Sequence, residues 1–233
     1  MPYTPCMMLC DELEVKQMKV IRPQAYIESN ISEDDAIMLI EKAGRVCYKS
    51  EDRIKSGSAK TFIRNILKRG HESVIEHVSV TVRVICDRGV SHEIVRHRIA
   101  SYSQESTRYC NYADDKFGNE ITVIVPYFFE NTKLVVDDGS DRYLYSVWYN
   151  SCKDSEDAYN LLINNGASPQ EARSVLPNSL KTEMFITMNL REWRHFFRLR
   201  CSHAAHPQMR QIANMILYQF KQRFPLFVED IEV

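Results

Sequence analysis

Apolar and polar positions alternate most regularly at Val78, Val80, Val82 and Val84, with Ser79, Thr81 and Arg83 between them. This pattern predicts a strand with one buried face. The same period marks strands over Glu14–Ile21 and over Ile121–Val125, the second stopped by Pro126, and a further strand is expected over Lys181–Met188. Helical signals fill the intervals. Ser32, with Asp35 where a capping-box acid belongs, opens a helix through about Ala43, and Gly44 is expected just past its end. Further helices are predicted over Ala59–Arg69 before Gly70, from Ser91 as the cap of a short helix leading into Arg96-His97-Arg98, and over Asp141–Asn165 before Gly166. Ser168-Pro169-Gln170-Glu171 is a strong helix start that runs to Pro177, and two more helices fit Leu190–Arg200 and Pro207–Arg223, the last closed by Pro225. With no internal repeat, linker or low-complexity stretch, one compact α+β domain over residues 1–233 is expected.

Composition removes several function classes. The seven glycines are about half the usual usage and lie far apart, so neither a GxGxxG fingerprint nor a P-loop exists. A nucleotide or dinucleotide must therefore be held by side chains, chiefly arginine. Thirty Lys+Arg against thirty-one Asp+Glu leave a net charge of −1 and no overall bias towards nucleic acid or anionic membrane. The seven cysteines are scattered without CxxC spacing, which suits reduced thiols in the cytoplasm. No apolar run approaches the length of a bilayer span, and Met1-Pro2-Tyr3-Thr4-Pro5 lacks a basic region followed by a hydrophobic one, so a soluble intracellular protein is expected.

The densest candidate chemistry runs from Glu93 to Tyr109. Between Arg96 and Arg108 stand three arginines, five hydroxyl residues and one histidine, an inventory for gripping phosphate and planar carbonyl groups together. In extended backbone Arg96 and Arg98 share a face, as do Gln104, Ser106 and Arg108. The alternative is a solvated loop laced with salt bridges to Glu93 and Glu105. On the helix from Leu190, Trp193, Phe196 and Phe197 form an apolar face with Arg200 in its middle, while Arg191, Arg194, His195 and Arg198 lie opposite. Arg200 either snorkels to water or faces an anionic or hydrogen-bonding partner inside a cleft. A third segment sets His71 and His77 around Glu72 and Glu76, but HExxH spacing is absent and no cysteine pair assists, so no metal site is assigned. His92, His203 and His206 are read as structural or supporting residues. There is no GxSxG elbow and no cysteine in a nucleophile's context.

Arg96-His97-Arg98, seven residues, then Ser106 matches the RHR-x7-S motif of flavin-dependent thymidylate synthases. His71-Glu72-Ser73 with Glu76-His77, Arg173-Ser174-Val175-Leu176-Pro177, Asn189-Leu190-Arg191 and Leu199-Arg200 resemble segments of that family in the same order, over roughly Ala43 to Arg223. The resemblance implies a central, mostly antiparallel sheet flanked by helices. It implies reductive methylation of dUMP to dTMP, with 5,10-methylenetetrahydrofolate as carbon donor, FAD as hydride carrier and NADPH as reductant of the flavin. It also implies a homotetramer with active sites shared between subunits, and no requirement for membrane or nucleic acid. Carried over by position, Ser73, Arg96, His97, Arg98, Gln104, Asn189, Arg191 and His195 would contact FAD. Glu93, Ile94, Val95, Arg96, Gln104, Glu105, Ser106, Thr107, Arg108, Arg173 and Arg200 would line the dUMP site, with Arg200 and Ser106 taking part in catalysis.

The chemistry of these residues agrees. Cations such as Arg96 and Arg98 stabilise a reduced flavin, which is anionic near N1. Arg173, Arg108 and Ser106 suit a phosphate. A desolvated arginine at position 200 polarises uracil at N3 and its carbonyl, which makes C5 a carbon nucleophile and removes the need for a cysteine. Glu93 stands where the family commonly has Gln, and Gln104 where it commonly has Glu, so the two side chains are expected to meet in one network. His195 occupies a position that is often Asn, and Cys47 one that is often a small hydroxyl residue. A reading from another class is a nucleotide- or RNA-binding protein that keeps the arginine-rich cleft without turnover.

Overall fold

The computed structural model describes residues 18–129 and 140–232. Two edge elements come first, β1 (Lys19–Ile21) and β2 (Gln24–Ile27), followed by α1 (Glu33–Val46) and α2 (Ser58–Lys68). A long strand, β3 (Ser79–Asp87), leads into α3 (Arg88–Ile94), β4 (Ser101–Gln104) and β5 (Thr122–Ile124). The chain continues through α4 (Ser140–Asn164), α5 (Pro169–Ala172), β6 (Lys181–Asn189), α6 (Leu190–Arg200) and α7 (Pro207–Arg223). β2, β3, β6 and β4 form a four-stranded antiparallel sheet in that order, while β1 and β5 pair in parallel as a small second sheet. The result is an α+β domain with a central antiparallel sheet, as expected. Of the strand expected over Glu14–Ile21, residues 14–17 lie outside the described residues.

The valine alternation does what its period requires. Val80, Val82 and Val84 are wholly buried, and across the ladder Met184, Ile186 and Met188 join them under Trp193, Phe196 and Phe197 of α6 and Ile216 and Phe220 of α7. A smaller core gathers Ile121, Val123, Tyr159 and Leu180. The opposite sheet face carries Tyr26, Arg83 and Phe185 in register, with the Arg83 guanidinium 4.7 Å above the Tyr26 ring. Ser168 and Glu171 form the expected capping box, and α6 and α7 have the expected ends.

Two local expectations are corrected. Gly44 lies inside α1, not past its end, because the helix crosses α2 there: a Cβ at Gly44 would sit 2.5 Å from the Phe62 ring. The glycine serves close approach instead of termination. The cap of α3 is Asp87, which accepts from the Val90 N–H at 2.8 Å, and Ser91 is a buried residue of the helix interior whose hydroxyl donates to the Arg88 carbonyl. The strand runs three residues beyond the last alternating valine, so the cap falls earlier than the pattern suggests.

β2 is the sheet edge next to α7, and Gln219 completes it. Its amide donates to the Ala25 carbonyl at 2.6 Å and accepts from the Ile27 N–H at 3.0 Å, as a neighbouring strand would. Gln219→Leu is expected to lower the urea midpoint by the equivalent of about 1–3 kcal/mol, because two backbone groups lose their partners. Light scattering should also show more self-association through the opened edge. An unchanged midpoint would contradict this role.

Candidate functional site

The arginine-histidine segment sits in the turn between α3 and β4. Tyr102 holds it there, its hydroxyl shared between the Ile94 carbonyl at 2.9 Å and the His97 carbonyl at 2.6 Å. His97 is buried, while Arg96 and Arg98 on either side of it are exposed, so the alternation read from the sequence survives. Among the described residues neither guanidinium has a hydrogen-bond or ion-pair partner. Two uncompensated cations beside a cleft favour an anionic ligand.

α6 supplies the other wall. Asn189 caps it by accepting from the Glu192 N–H at 2.9 Å, and the first turn then places the Glu192 carboxylate 3.1 Å from His97 Nδ1. At the far end of the helix Arg200 donates from Nε to His97 Nε2 at 3.0 Å, and from its terminal nitrogens to the Glu93 carboxylate and carbonyl, each at 3.1 Å. A guanidinium has two N–H groups on each terminal nitrogen, so one on each stays available to a ligand. Burial, with the nearby Arg200 and His195 charges, holds the His97 imidazole below its usual pKa against the opposing pull of Glu192. A cleft of about 410 Å³ is lined here by Arg96, His97, Arg98, His195, Leu199 and Arg200. It adjoins a second, of about 480 Å³, that takes in Asn189, Arg191, Arg198 and the same His195.

The other face of α6 departs from expectation. Arg191, His195 and Arg198 are exposed as predicted, but Arg194 is only 1% exposed. Residues from the C-terminal segment cover it: Arg194 donates to the Phe227 carbonyl, pairs with Asp230 at 2.6 Å and meets Glu72 at 3.0 Å. Glu72 also binds Arg198, and Glu76 binds Arg191. The acids between His71 and His77 are thus occupied by guanidinium groups. His97, Glu192 and His195 bring three ligand-type atoms within 4.8 Å of one another. The Arg200 cation bonded to His97, with Arg96 and Arg98 alongside, opposes a metal ion there.

Ser106, Thr107 and Arg108 follow β4, and none of them lines the Arg200 cleft. The Ser106 hydroxyl accepts from the Arg108 N–H at 3.3 Å, Arg108 donates to Gln170 at 2.8 Å, and Arg173 reaches Thr107 at 3.5 Å. The capping box at Ser168 delivers both Gln170 and Arg173. They line a cleft of about 450 Å³ with Arg88, His92, Thr107 and Asn178. Arg88, His92 and Asn178 carry no motif, Gln170 is marked only as part of a helix start, and their convergence depends on the fold.

Several expected residues sit differently. Ile94 is wholly buried in the main core, whereas Val95 is 39% exposed. The Glu105 carboxylate is bound by Lys181 and Tyr112, its N–H by the Glu183 carbonyl and its carbonyl by Arg88. Gln104 donates to Ser91 and Thr182, both at 3.1 Å, while Glu93 faces Arg200 and His206. Glu93 and Gln104 therefore occupy separate hydrogen-bond groups, not one shared network. Ser73 is exposed in the short turn before β3. Burial pushes the Cys152 thiol up to about 11 and that of Cys201 to about 12, and raises Cys86 and Cys110 as well, which suits none of them to nucleophilic attack.

An α+β domain with arginine-lined clefts and unpaired guanidinium groups has the donor set of a protein that binds anionic ligands. Residues 30–226 match the family model described as thymidylate synthase complementing protein. The chain is 36% identical to the flavin-dependent thymidylate synthase of Pyrococcus furiosus over 186 residues, covering 79% of this chain and 72% of that one. It is 35% identical to that of Geobacter sulfurreducens over 195 residues, covering 81% and 78%. The chain belongs to the flavin-dependent thymidylate synthase family. Its fold is shared with a UMP/dUMP methylase, PolB from Streptomyces cacaoi, solved with 5-Br dUMP: the TM-score is 0.73 at 22% identity, over 91% of this chain and 96% of that one. No helix of the described residues is long and apolar enough to cross a membrane.

Proposed function

We propose that this protein methylates dUMP reductively to dTMP, taking carbon from 5,10-methylenetetrahydrofolate, with FAD bound and NADPH as the source of electrons. The observation that carries the reading is Arg200, a half-buried guanidinium held by His97 and Glu93 with donors still available. Directed at N3 and the adjacent carbonyl of uracil, those donors hold the negative charge that makes C5 nucleophilic. The Arg173, Arg108 and Ser106 group suits the phosphate, and Arg88 lines the same cleft as Arg173.

The donor set also fits FAD. Arg96 and Arg98 are unpaired, the neutral His97 lies between them, and Asn189, Arg191 and His195 line the adjoining cleft. Ser73 and Gln104, which line neither cleft within one chain, would reach the flavin only from a neighbouring copy. When bound, FAD supplies the hydride. This chain's cations bind and orient its anionic groups, which a chain without a glycine-rich loop must do with side chains.

The phosphate-type cleft and the Arg200 cleft share no lining residue within one chain. That separation supports active sites completed by neighbouring copies in a homotetramer, and the exposed sheet face with Tyr26 and Phe185 offers a surface for such contact. A reduced cytoplasmic compartment suits the free thiols of Cys47, Cys86, Cys110, Cys152 and Cys201.

The test is conversion of dUMP with methylenetetrahydrofolate and NADPH, with and without FAD. The expected result is a yellow protein whose dTMP formation requires flavin. A colourless protein that binds dUMP or RNA and ignores added FAD would establish the binding-protein reading instead, and FAD-independent dTMP formation would point to another class of synthase.

A further inference from the structure

Glu192 is a buried carboxylate near the start of α6. A carboxylate in such a place ordinarily serves the helix end, reaching back to the N–H of the capping residue. Among the described residues this one does not: its hydrogen bond goes to His97 Nδ1. His97 in turn stands between Glu192 and Arg200, with Nε2 facing the Arg200 Nε–H at 3.0 Å.

The protonation of the imidazole follows from these two neighbours. Arg200 always presents an N–H and never an acceptor. A proton on His97 Nε2 would set donor against donor at one end of the ring. With Nδ1 bare, the ring would also set a lone pair against the Glu192 carboxylate at the other end. The imidazolium repeats the donor clash and adds a second cation beside the guanidinium. Only the neutral ring with its proton on Nδ1 makes both bonds. The remaining groups around the ring do not alter this: His195 and Phe196 meet it as rings, Tyr102 bonds its backbone carbonyl, and Glu93 acts on Arg200.

We propose that Glu192 is a positioning residue that acts through His97: by keeping the imidazole proton on Nδ1, it makes Nε2 the acceptor that aims Arg200 into the substrate cleft. The inference rests on the role given above to Arg200. It makes Glu192, His97 and Arg200 one chain of bonds from the first turn of α6 to its last, closed through the loop after α3.

The test uses the purified protein labelled with 15N-histidine, with the His97 signals assigned by their loss in His97→Gln. Ring 15N shifts near neutral pH should show a protonated Nδ1 and a bare Nε2. Glu192→Leu should move the proton to Nε2, turn the Arg200 Nε–H away from it, and lower kcat for dTMP formation roughly 10- to 100-fold, the size expected when a charged group loses a hydrogen bond. The KM for dUMP should change far less. Glu192→Gln, whose carbonyl oxygen still accepts from Nδ1–H, should restore the tautomer and most of kcat. An imidazolium or an Nε2–H ring in the unmutated protein overturns the proposal without need of any variant. So does Glu192→Leu with the tautomer changed and kcat intact, or with kcat lost and the tautomer unchanged, since the latter marks a purely structural carboxylate. An unmutated protein that makes no dTMP instead overturns the functional reading, and the tautomer measurement, which needs no turnover, tells the two failures apart.

Discussion

Replacing Arg200 by Ala is expected to reduce dTMP formation by about 100-fold or more, the range seen when a preorganised donor to a developing negative charge is removed. The visible flavin spectrum should persist, because Arg96, Arg98 and Arg191 retain their guanidinium groups. The physical reason lies in how Arg200 is held. Its Nε is spent on His97 and its terminal nitrogens are steadied by Glu93, so the remaining donors point in a set direction before any ligand arrives. That preorganisation cannot be recovered by a flexible cation. Arg200→Lys is accordingly expected to stay well below the parent enzyme, since an ammonium keeps the charge but loses the planar fork. Steady-state turnover together with the absorbance spectrum checks both variants, and a turnover unchanged in Arg200→Ala would refute the assignment.

The largest effect on stability is expected six residues earlier. Arg194→Ala should cost about 3–5 kcal/mol, because removing one partner of a buried ion pair leaves the others uncompensated. Here those others are the Phe227 carbonyl, Asp230 and Glu72. For a chain of this size the loss corresponds to roughly 6–20 °C in Tm, measurable by calorimetry. The same cluster sets an acid limb. Burial pushes the Glu72 carboxyl up, but Arg198 and Arg194 outweigh it and leave Glu72 below the usual range. The hydrogen bond from Arg194 lowers Asp230 against its own burial. Carboxyls depressed in the folded state stabilise it above their unfolded pKa values, near pH 4, and that stability is lost as pH falls through the lower folded values. The parent protein should therefore lose stability below about pH 4 more steeply than Arg194→Ala does. Asp230 loses the guanidinium that chiefly depresses it, although its half-exposure weakens the effect, and the more buried Glu72 keeps Arg198, so both acids contribute to the difference. Parallel acid titrations of the two proteins would expose a wrong sign.

These two arginines, six positions apart on one helix, also show where reading from residues stops. The apolar face of α6, its bounds at Leu190 and Arg200, the valine strand β3 and the Ser168 capping box were all legible, because spacing and caps act within a few residues of themselves. Strands β2 and β4 were not legible as strands: each has only four residues at an edge of the sheet, β4 is mostly polar, and partners far along the chain make them. Gly44 followed the same rule, its meaning set by Phe62 of another helix.

The chemistry divides along that line. Sequence was enough for the α+β architecture, for arginine in place of a glycine-rich loop, and, through the RHR-x7-S resemblance, for the family. It left open which arginines are enclosed by acids and which are left unpaired. Arg194 and Arg96 look alike as residues, yet one is enclosed by Glu72 and Asp230 while the other has no partner among the described residues. The separation of Glu93 from Gln104, the entry of Arg88 and His92 into the cleft beside Arg173, and the Glu192–His97–Arg200 chain were likewise settled by the fold. Charge pairing depends on distance in space and on desolvation, and the folded chain sets both by bringing together segments about a hundred residues apart, as with His97 and Arg200.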